Sequence, residues 1–149
     1  MTEPKEVANL LNTLLADEYV IYTKTKNVHG SIMGQNFTEI PNFFENHFEQ
    51  LFKIIDGVED KVKMLGHVVI SSFKDLLSFT HFNKRTVDFT DKNEMIQTLI
   101  ADHETMINVI SNDIKPVTEK YNDNRINDFV ASVKVQHEEM ARTLKIHLN

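Results

Sequence analysis

Four acidic side chains recur at helical spacing in the segment 43–65 and have the chemistry to bind a divalent metal ion. They are Glu45, Glu49, Asp56 and Asp60. Turning this segment by about 100° per residue places them on one face, roughly 120° to 180° from its apolar residues. Carboxylates at i and i+4, such as Asp56 and Asp60, can direct oxygens at one hard cation, with iron, manganese and magnesium as candidates. A solvated acidic face is the alternative, and spacing alone leaves both interpretations open.

The motif that usually builds a di-iron centre inside a helical bundle is absent from the sequence. No glutamate is followed by histidine three residues later, whereas such centres carry Glu-x-x-His on two helices. If the acidic face does bind metal, the missing ligands must come from another subunit packed against it. A metal site on this face would therefore depend on oligomerisation.

Composition excludes several other chemistries. The 149 residues include no cysteine, which removes disulfides, thiolate metal sites and cysteine nucleophiles. The formal net charge is −6, so the average surface repels phosphate and DNA binding is not expected to be strong. No stretch approaches the roughly 18 apolar residues that cross a bilayer, and the first residues have no apolar signal core. We therefore expect a cytoplasmic protein with one domain over 1–149 and no membrane partner.

The elements that position the acidic face are predicted to be long helices. Apolar residues recur at three- and four-residue steps from Pro4 to about Met33, without an internal glycine or proline until the end. A second helix is predicted to begin at a cap on Thr38, with Pro41 in its first turn, and to stop near Gly66.

The second half of the chain predicts two more long helices after a long crossover. Asp91 can cap the third helix and Pro116 is expected to limit its far end, while the fourth helix follows the polar loop 121–124 and runs almost to the terminus. A short helix is predicted within 71–82. A crossover of this length between the second and third helices is typical of an all-α, ferritin-like four-helix bundle.

Several sequence segments resemble those of the Dps family, the DNA-binding proteins from starved cells. The most specific resemblance lies in the runs 22–37, 43–45 and 56–66, which contain one histidine, His29, and the acids spaced after it. Segments 72–76, 101–104 and 137–141 resemble the short helix and the last two long helices of the same family. The resemblance covers essentially the whole chain.

This resemblance implies a function and assigns roles to the acidic residues. Dps proteins oxidise Fe(II) with hydrogen peroxide or dioxygen at ferroxidase sites between two subunits, and store the ferric mineral in a hollow dodecamer. His29 then matches the histidine ligand from one subunit, and Asp56 and Asp60 match the carboxylate pair from its partner's second helix. Glu45 stands where the family usually has aspartate. The implied metal is iron, with at most two ions in each inter-subunit site.

Three positions depart from the family pattern. Asp60 replaces a longer glutamate, Pro41 replaces a second histidine, and Gly30 replaces a tryptophan beside His29. We expect one well-formed metal position per site, with the second dependent on Glu45 or water. The departures favour one alternative, a Dps-shaped structural shell with weak metal binding. A DNA-protecting nucleoid protein is a further alternative, which the negative net charge disfavours.

Two acids at the start of the fourth helix have two interpretations. Asp123 and Asp128 complement the positive end of the helix dipole. By resemblance, they lie where Dps proteins carry the acids of the pores that admit ferrous ions. A ring of such carboxylates attracts cations.

The remaining histidines are expected to be structural or solvated. Glu18, His103 and His137 fall on the apolar faces of their helices and predict a hydrogen-bonded cluster in the core. A metal site that adds His47 is the less favoured alternative, because His47 lies at the edge of its apolar face. Three further histidines in loops or near the terminus are expected to be solvated: His67, His81 and His147.

Overall fold

The computed structural model describes residues 2–34, 43–82 and 91–148, and every regular element in this part of the chain is helical. The elements are α1 (Pro4–Gly34), α2 (Phe43–Met64), α3 (Phe73–Phe79), α4 (Lys92–Val109), a π-helical turn (Ile110–Ile114), α5 (Lys115–Tyr121) and α6 (Asn124–Ile146). The predicted all-α fold is confirmed. The predicted start of the second helix, with Thr38 and Pro41, lies outside the described residues.

The second helix ends where the sequence predicts. Gly66 has φ of 75°, in the left-handed region that glycine adopts without steric cost. Its N–H donates to the carbonyl of Lys63, and the N–H of His67 donates to the carbonyl of Val62. These two bonds form a Schellman motif, which satisfies carbonyls that the helix end leaves free.

Pro116 does not end the helical segment, so the prediction that it limits the third helix is wrong, although α4 itself ends at Val109. The chain stays helical from Lys92 to Tyr121 because the π-helical turn precedes the proline, which occupies the first turn of α5. The N–H of Lys115 donates to the carbonyl of Ile110, five residues back. At the start of a new helical segment, the missing N–H of proline costs little.

Side-chain caps fix the starts of three helices. Ser72 accepts a hydrogen bond from the N–H of Asp75 at the start of α3, which confirms the short helix in the crossover. Asp91 caps α4 through the N–H of Asn93, as predicted. Asp123 caps α6 in the same way.

Helix α1 packs along α2, and α4 packs along α6. Tyr19 lies opposite Glu59 and His29 lies opposite Phe44, so α1 and α2 run antiparallel. Helix α2 also approaches α6 closely at Gly57, where a Cβ atom would lie 2.5 Å from the ring of Phe129.

The interior contains two apolar clusters with a polar layer between them. The larger cluster takes residues of α1 up to Ile21, and the smaller one begins at Val28 of the same helix. The gap between the clusters contains His103 on α4 and His47 on α2, while His137 of α6 lies between Val133 and Met140 of the larger cluster. The bundle therefore buries titratable groups at one level of its core.

Candidate functional site

His29 is held by aromatic residues of α2. Its half-buried ring lies 5.3 Å from the ring of Phe44 and 5.4 Å from that of Phe48, measured between centroids. The spacing of four between Phe44 and Phe48 marks one face of α2, but the sequence alone does not show that His29 packs against it. The neighbouring Gly30 faces open space, since a Cβ atom there would meet nothing within 4 Å.

The three predicted carboxylates lie exposed along α2, but at different heights. Glu45 is in the first turn, next to the phenylalanine that contacts His29. Asp56 and Asp60 lie far along the helix: at about 1.5 Å per residue they are roughly 12 and 18 Å beyond Phe48. We call His29 with Glu45, and Asp56 with Asp60, the two candidate half-sites; one chain does not bring them together.

Tyr19 of α1 contacts α2 at Glu59, between Asp56 and Asp60 along the helix. Its hydroxyl donates to Oε1 of Glu59 at 3.3 Å. Burial raises the pKa of Tyr19, and the negative charges of Glu59 and Asp56 raise it further. Neither Tyr19 nor Glu59 was a candidate from the sequence, because their contact depends on how α1 lies against α2.

Across the described ranges, no three histidine, aspartate or glutamate side chains are close enough together to hold one metal ion. For His29, Asp56 and Asp60 the reason is the length of α2 that separates them. Only a second copy of the chain can bring a His29 beside an Asp56–Asp60 pair.

Asp123 is held by its own helix rather than left free. It accepts from the N–H of Arg125, and its Oδ2 lies 2.8 Å from Nη2 of the same arginine. The side-chain hydrogen bond from Arg125 lowers the pKa of Asp123. Asp128 is exposed. The helix-start role of Asp123 is confirmed, and the pore role of both acids stays a prediction.

The predicted polar cluster in the core is confirmed. Nε2 of His137 lies 2.6 Å from Oε1 of Glu18, and Nδ1 of His137 lies 2.8 Å from Nδ1 of His103. His47 is 3% exposed, so its expected place at the edge of the apolar face is wrong. The ring of Phe43, 5.1 Å away, packs against it.

Burial dominates the titration of two of these histidines. It lowers the pKa of His47 to about 4, with smaller contributions from the positive charges of His137 and His147. Burial also lowers the pKa of His103, and the charges of His137 and His47 add to it. Both imidazoles are therefore neutral at pH 7.

His81 is not simply solvated, in contrast to the prediction. Its Nδ1 lies 2.6 Å from Oδ2 of Asp17, a fully buried carboxylate of α1. Oδ1 of the same aspartate accepts from the N–H of His81 at 2.7 Å and from the hydroxyl of Thr80 at 2.6 Å. Asp17 therefore anchors the crossover to the bundle. Its role was missed because the sequence shows no partner for it.

Comparison with known proteins identifies the family. A model of the ferritin-like domain matches residues 8–149. The chain belongs to the ferritin-like family. A low temperature-induced protein of Nostoc, itself uncharacterised, is 30% identical over 139 residues, which cover 93% of this chain and 78% of that protein.

The comparisons also support the Dps branch of the family. DNA protection during starvation protein 2 of Bacillus anthracis is 22% identical over 97% of this chain and 98% of its own length. Among solved structures, DpsC from Streptomyces coelicolor has a TM-score of 0.88 at 23% identity, covering 97% of this chain and 84% of its own. The Dps protein of Vibrio cholerae has a TM-score of 0.85 at 24% identity, with 96% and 89% covered. These likenesses show that the chain shares the fold of Dps proteins, and they support the resemblance seen in its sequence segments.

Among the helices that the structure describes, none combines the length and the apolar character that a membrane span requires.

Proposed function

We propose that this Dps-type protein oxidises Fe(II) with hydrogen peroxide or dioxygen and stores the ferric product in a dodecameric shell. The oxidation site forms between two subunits. One subunit supplies His29 and Glu45, and the other supplies Asp56 and Asp60. Iron is the substrate and the stored cargo, and these residues are its ligands.

The separation of the two half-sites is the observation that carries this proposal. His29 lies beside Phe44 and Phe48, and the Asp56–Asp60 pair lies roughly 12 to 18 Å further along α2. Both half-sites lie along α2, one near each end, so two copies related by a two-fold axis can place each half against the other. One such contact completes two identical sites.

The donor set suits iron in both oxidation states. Carboxylate oxygens stabilise the ferric product, while a histidine nitrogen maintains affinity for the ferrous ion. Each Fe(II) gives up one electron, and one hydrogen peroxide molecule accepts two, so two ferrous ions are consumed per peroxide. Water completes the ferric oxyhydroxide, and the released protons pass to solvent. The chain's part is to hold the ions at a fixed geometry.

We further propose that one iron position in each site is well formed and that the second is weaker. Asp60 is one methylene shorter than the glutamate of the family, and metal–ligand distances tolerate only about 0.2 Å of error. The second position then relies on Glu45 or on water. Pro41, where the family has a histidine, lies outside the described residues.

The assembly and the pore belong to the same proposal. A structural neighbour from Bacteroides fragilis with a TM-score of 0.86 at 17% identity is described as a dodecameric thioferritin. A shell of that kind needs a route for iron, for which we propose Asp123 and Asp128. Because Arg125 pairs with Asp123, Asp128 is the stronger candidate.

Stopped-flow measurement of Fe(II) oxidation tests the proposal. The assembled protein is expected to oxidise Fe(II) faster than its His29→Ala and Asp56→Ala variants, by about tenfold or more since each variant loses a direct ligand. The matched control is Asp113→Ala, which removes an exposed acid from the π-helical turn and should leave the rate unchanged. Equal rates for the parent and both ligand variants would contradict the proposal and favour the alternative of a Dps-shaped shell without ferroxidase activity.

A further inference from the structure

A phenylalanine lies in the middle of the acidic face of α2. Within this helix, all of whose residues the structure describes, the exposed large apolar side chains are Phe52, which is 55% exposed, and Met64 at the last position. At 3.6 residues per turn, Phe52 lies within about 60° of Glu45, Glu49 and Asp56 around the helix. Single exposed apolar residues are common on protein surfaces, so the position of Phe52 along the helix decides whether it has a role.

Phe52 is midway along α2 between the two candidate half-sites. The first half-site is level with about position 46, because the ring of His29 lies beside Phe44 and Phe48. The aspartate pair centres the second half-site on about position 58. Each half-site is therefore about six residues, or roughly 9 Å, from Phe52 along the helix.

A two-fold axis that exchanges the two half-sites must cross α2 at this midpoint. In a two-fold contact, residues away from the axis pair reciprocally with different residues of the partner, and a residue on the axis meets its own copy. Given the two-subunit oxidation site proposed above, on which this inference rests, the side chain at the axis on the acidic face is Phe52.

We propose that Phe52 packs against Phe52 of the partner subunit and is a positioning residue for the oxidation site. Two aromatic rings attract each other with their centroids about 4.5–7 Å apart, and such a pair fits between helices whose axes are about 8–10 Å apart. The ring pair fixes the distance and the register of the two α2 helices. It thereby sets the distance from His29 of one chain to the aspartate pair of the other.

The charges beside Phe52 show why an apolar contact is needed at the axis. Glu49 and Asp56 are exposed about one turn away on either side. The same axis places Glu49 opposite the partner's Asp56, and these like charges repel. Iron can neutralise the acids of the half-sites, but it leaves the middle of the face unpaired. Burial of the two phenylalanine rings supplies the attraction there.

Disulfide formation tests this contact, because the chain has no cysteine of its own. Phe52→Cys introduces a thiol that can pair only with its own copy, and pairing needs Cα atoms within about 7 Å of each other. The matched control is Lys63→Cys, exposed on the same face but about 16 Å from the axis, so that its copies lie roughly 33 Å apart. With glutathione disulfide as the oxidant, the metal-free Phe52→Cys protein should form linked dimers at least about tenfold faster than the control.

A charge at the axis gives a second test. Phe52→Asp brings two more negative charges together in each contact. It should raise the protein concentration needed for assembly at least about thirtyfold, measured by sedimentation of the metal-free protein. Phe52→Leu keeps an apolar side chain and should assemble and oxidise Fe(II) as the parent does. Since more than half of the Phe52 side chain is exposed in one chain, both variants should keep the helicity of the parent in circular dichroism.

Two results would overturn the proposal. One is a Phe52→Cys protein that forms linked dimers no faster than Lys63→Cys, and the other is a Phe52→Asp protein that assembles at the parent's concentration. Linkage and sedimentation are measured without iron, so their outcome is separate from that of the ferroxidase proposal. Linked Phe52→Cys dimers, with equal oxidation rates for the parent and His29→Ala, would contradict only the ferroxidase activity. Rapid oxidation by the parent, without linkage in Phe52→Cys, would contradict only the position of Phe52.

Discussion

His103 makes the stability of this protein depend on pH. An unfolded histidine has a pKa of about 6.5, whereas burial lowers that of folded His103 and lowers that of His47 to about 4. The unfolded state then binds more protons below pH 6.5, so the stability is complete above that pH and is lost as the pH falls towards 4. Each histidine contributes up to roughly 1.4 kcal/mol per pH unit.

Urea unfolding of the chelator-treated protein at pH 7 and pH 5 measures this effect. We expect the free energy of unfolding to fall between the two values, and His103→Gln to show a smaller fall because one titrating group is gone. His67→Gln should keep the parent's pH dependence. The same pH dependence in His103→Gln and in the parent would contradict the assignment.

At the proposed oxidation site, we expect the length of the Asp60 side chain to be limiting. Asp60→Glu adds the methylene that the family pattern has at this position, so its oxygen should reach the metal that Asp56 is proposed to bind. We expect Fe(II) oxidation to become several-fold faster, measured by stopped flow in the assembled protein. Asp113→Glu makes the same chemical change at another exposed acid and should have no effect. A rate unchanged or lowered in Asp60→Glu would show that reach is not what limits the site.

At the scale of elements, Gly57 sets how closely α2 approaches α6. A Cβ atom there would lie 2.5 Å and 2.9 Å from two ring carbons of Phe129, over which Lys61 also lies. Gly57→Ala should therefore destabilise the fold by about 1 kcal/mol or more, because the clash exceeds the gain in helix propensity.

A double-mutant cycle separates the two contributions to Gly57→Ala. In a Phe129→Ala background the clash is absent, so Gly57→Ala should stabilise the protein by up to about 1 kcal/mol in urea unfolding. Gly30→Ala, where a Cβ atom meets open space, should be stabilising in the parent itself. The same sign for Gly57→Ala in both backgrounds would contradict a steric role for Phe129.

The same comparison of local and tertiary effects explains what the sequence could predict. Helix period, the cap at Asp91, the position of Asp123 at the start of α6 and the glycine at position 66 are local features, and these predictions are confirmed. The prediction that Pro116 limits the third helix was wrong because the effect of this proline depends on the π-helical turn before it. No local sequence pattern predicts that turn.

The contacts of individual side chains were harder to predict than the elements. The meeting of Glu18, His103 and His137 followed from their faces, since each pointed inward. The burial of His47 and the pairing of His81 with Asp17 depend on how neighbouring elements lie, and a single sequence does not contain that information.

At the scale of the whole molecule, mixing two variant chains tests whether the ligands of the proposed site come from different subunits. With His29 and Asp56 supplied by different chains, a dimer of one His29→Ala chain and one Asp56→Ala chain has one site lacking both ligands and one intact site. Random pairing makes half of the dimers mixed, so about a quarter of all sites should be intact. Either variant alone has none.

Fe(II) oxidation by shells assembled from an equal mixture of these two chains should therefore recover to about a quarter of the parent's rate. The matched control mixes Asp56→Ala with Asp60→Ala, whose lost ligands belong to the same half-site. Every mixed dimer then has both sites damaged, so no recovery is expected. Recovery confined to the first mixture requires ligands from two chains, as the separation along α2 implies. No recovery in either mixture, although each pair assembles, would mean that iron is oxidised within one chain.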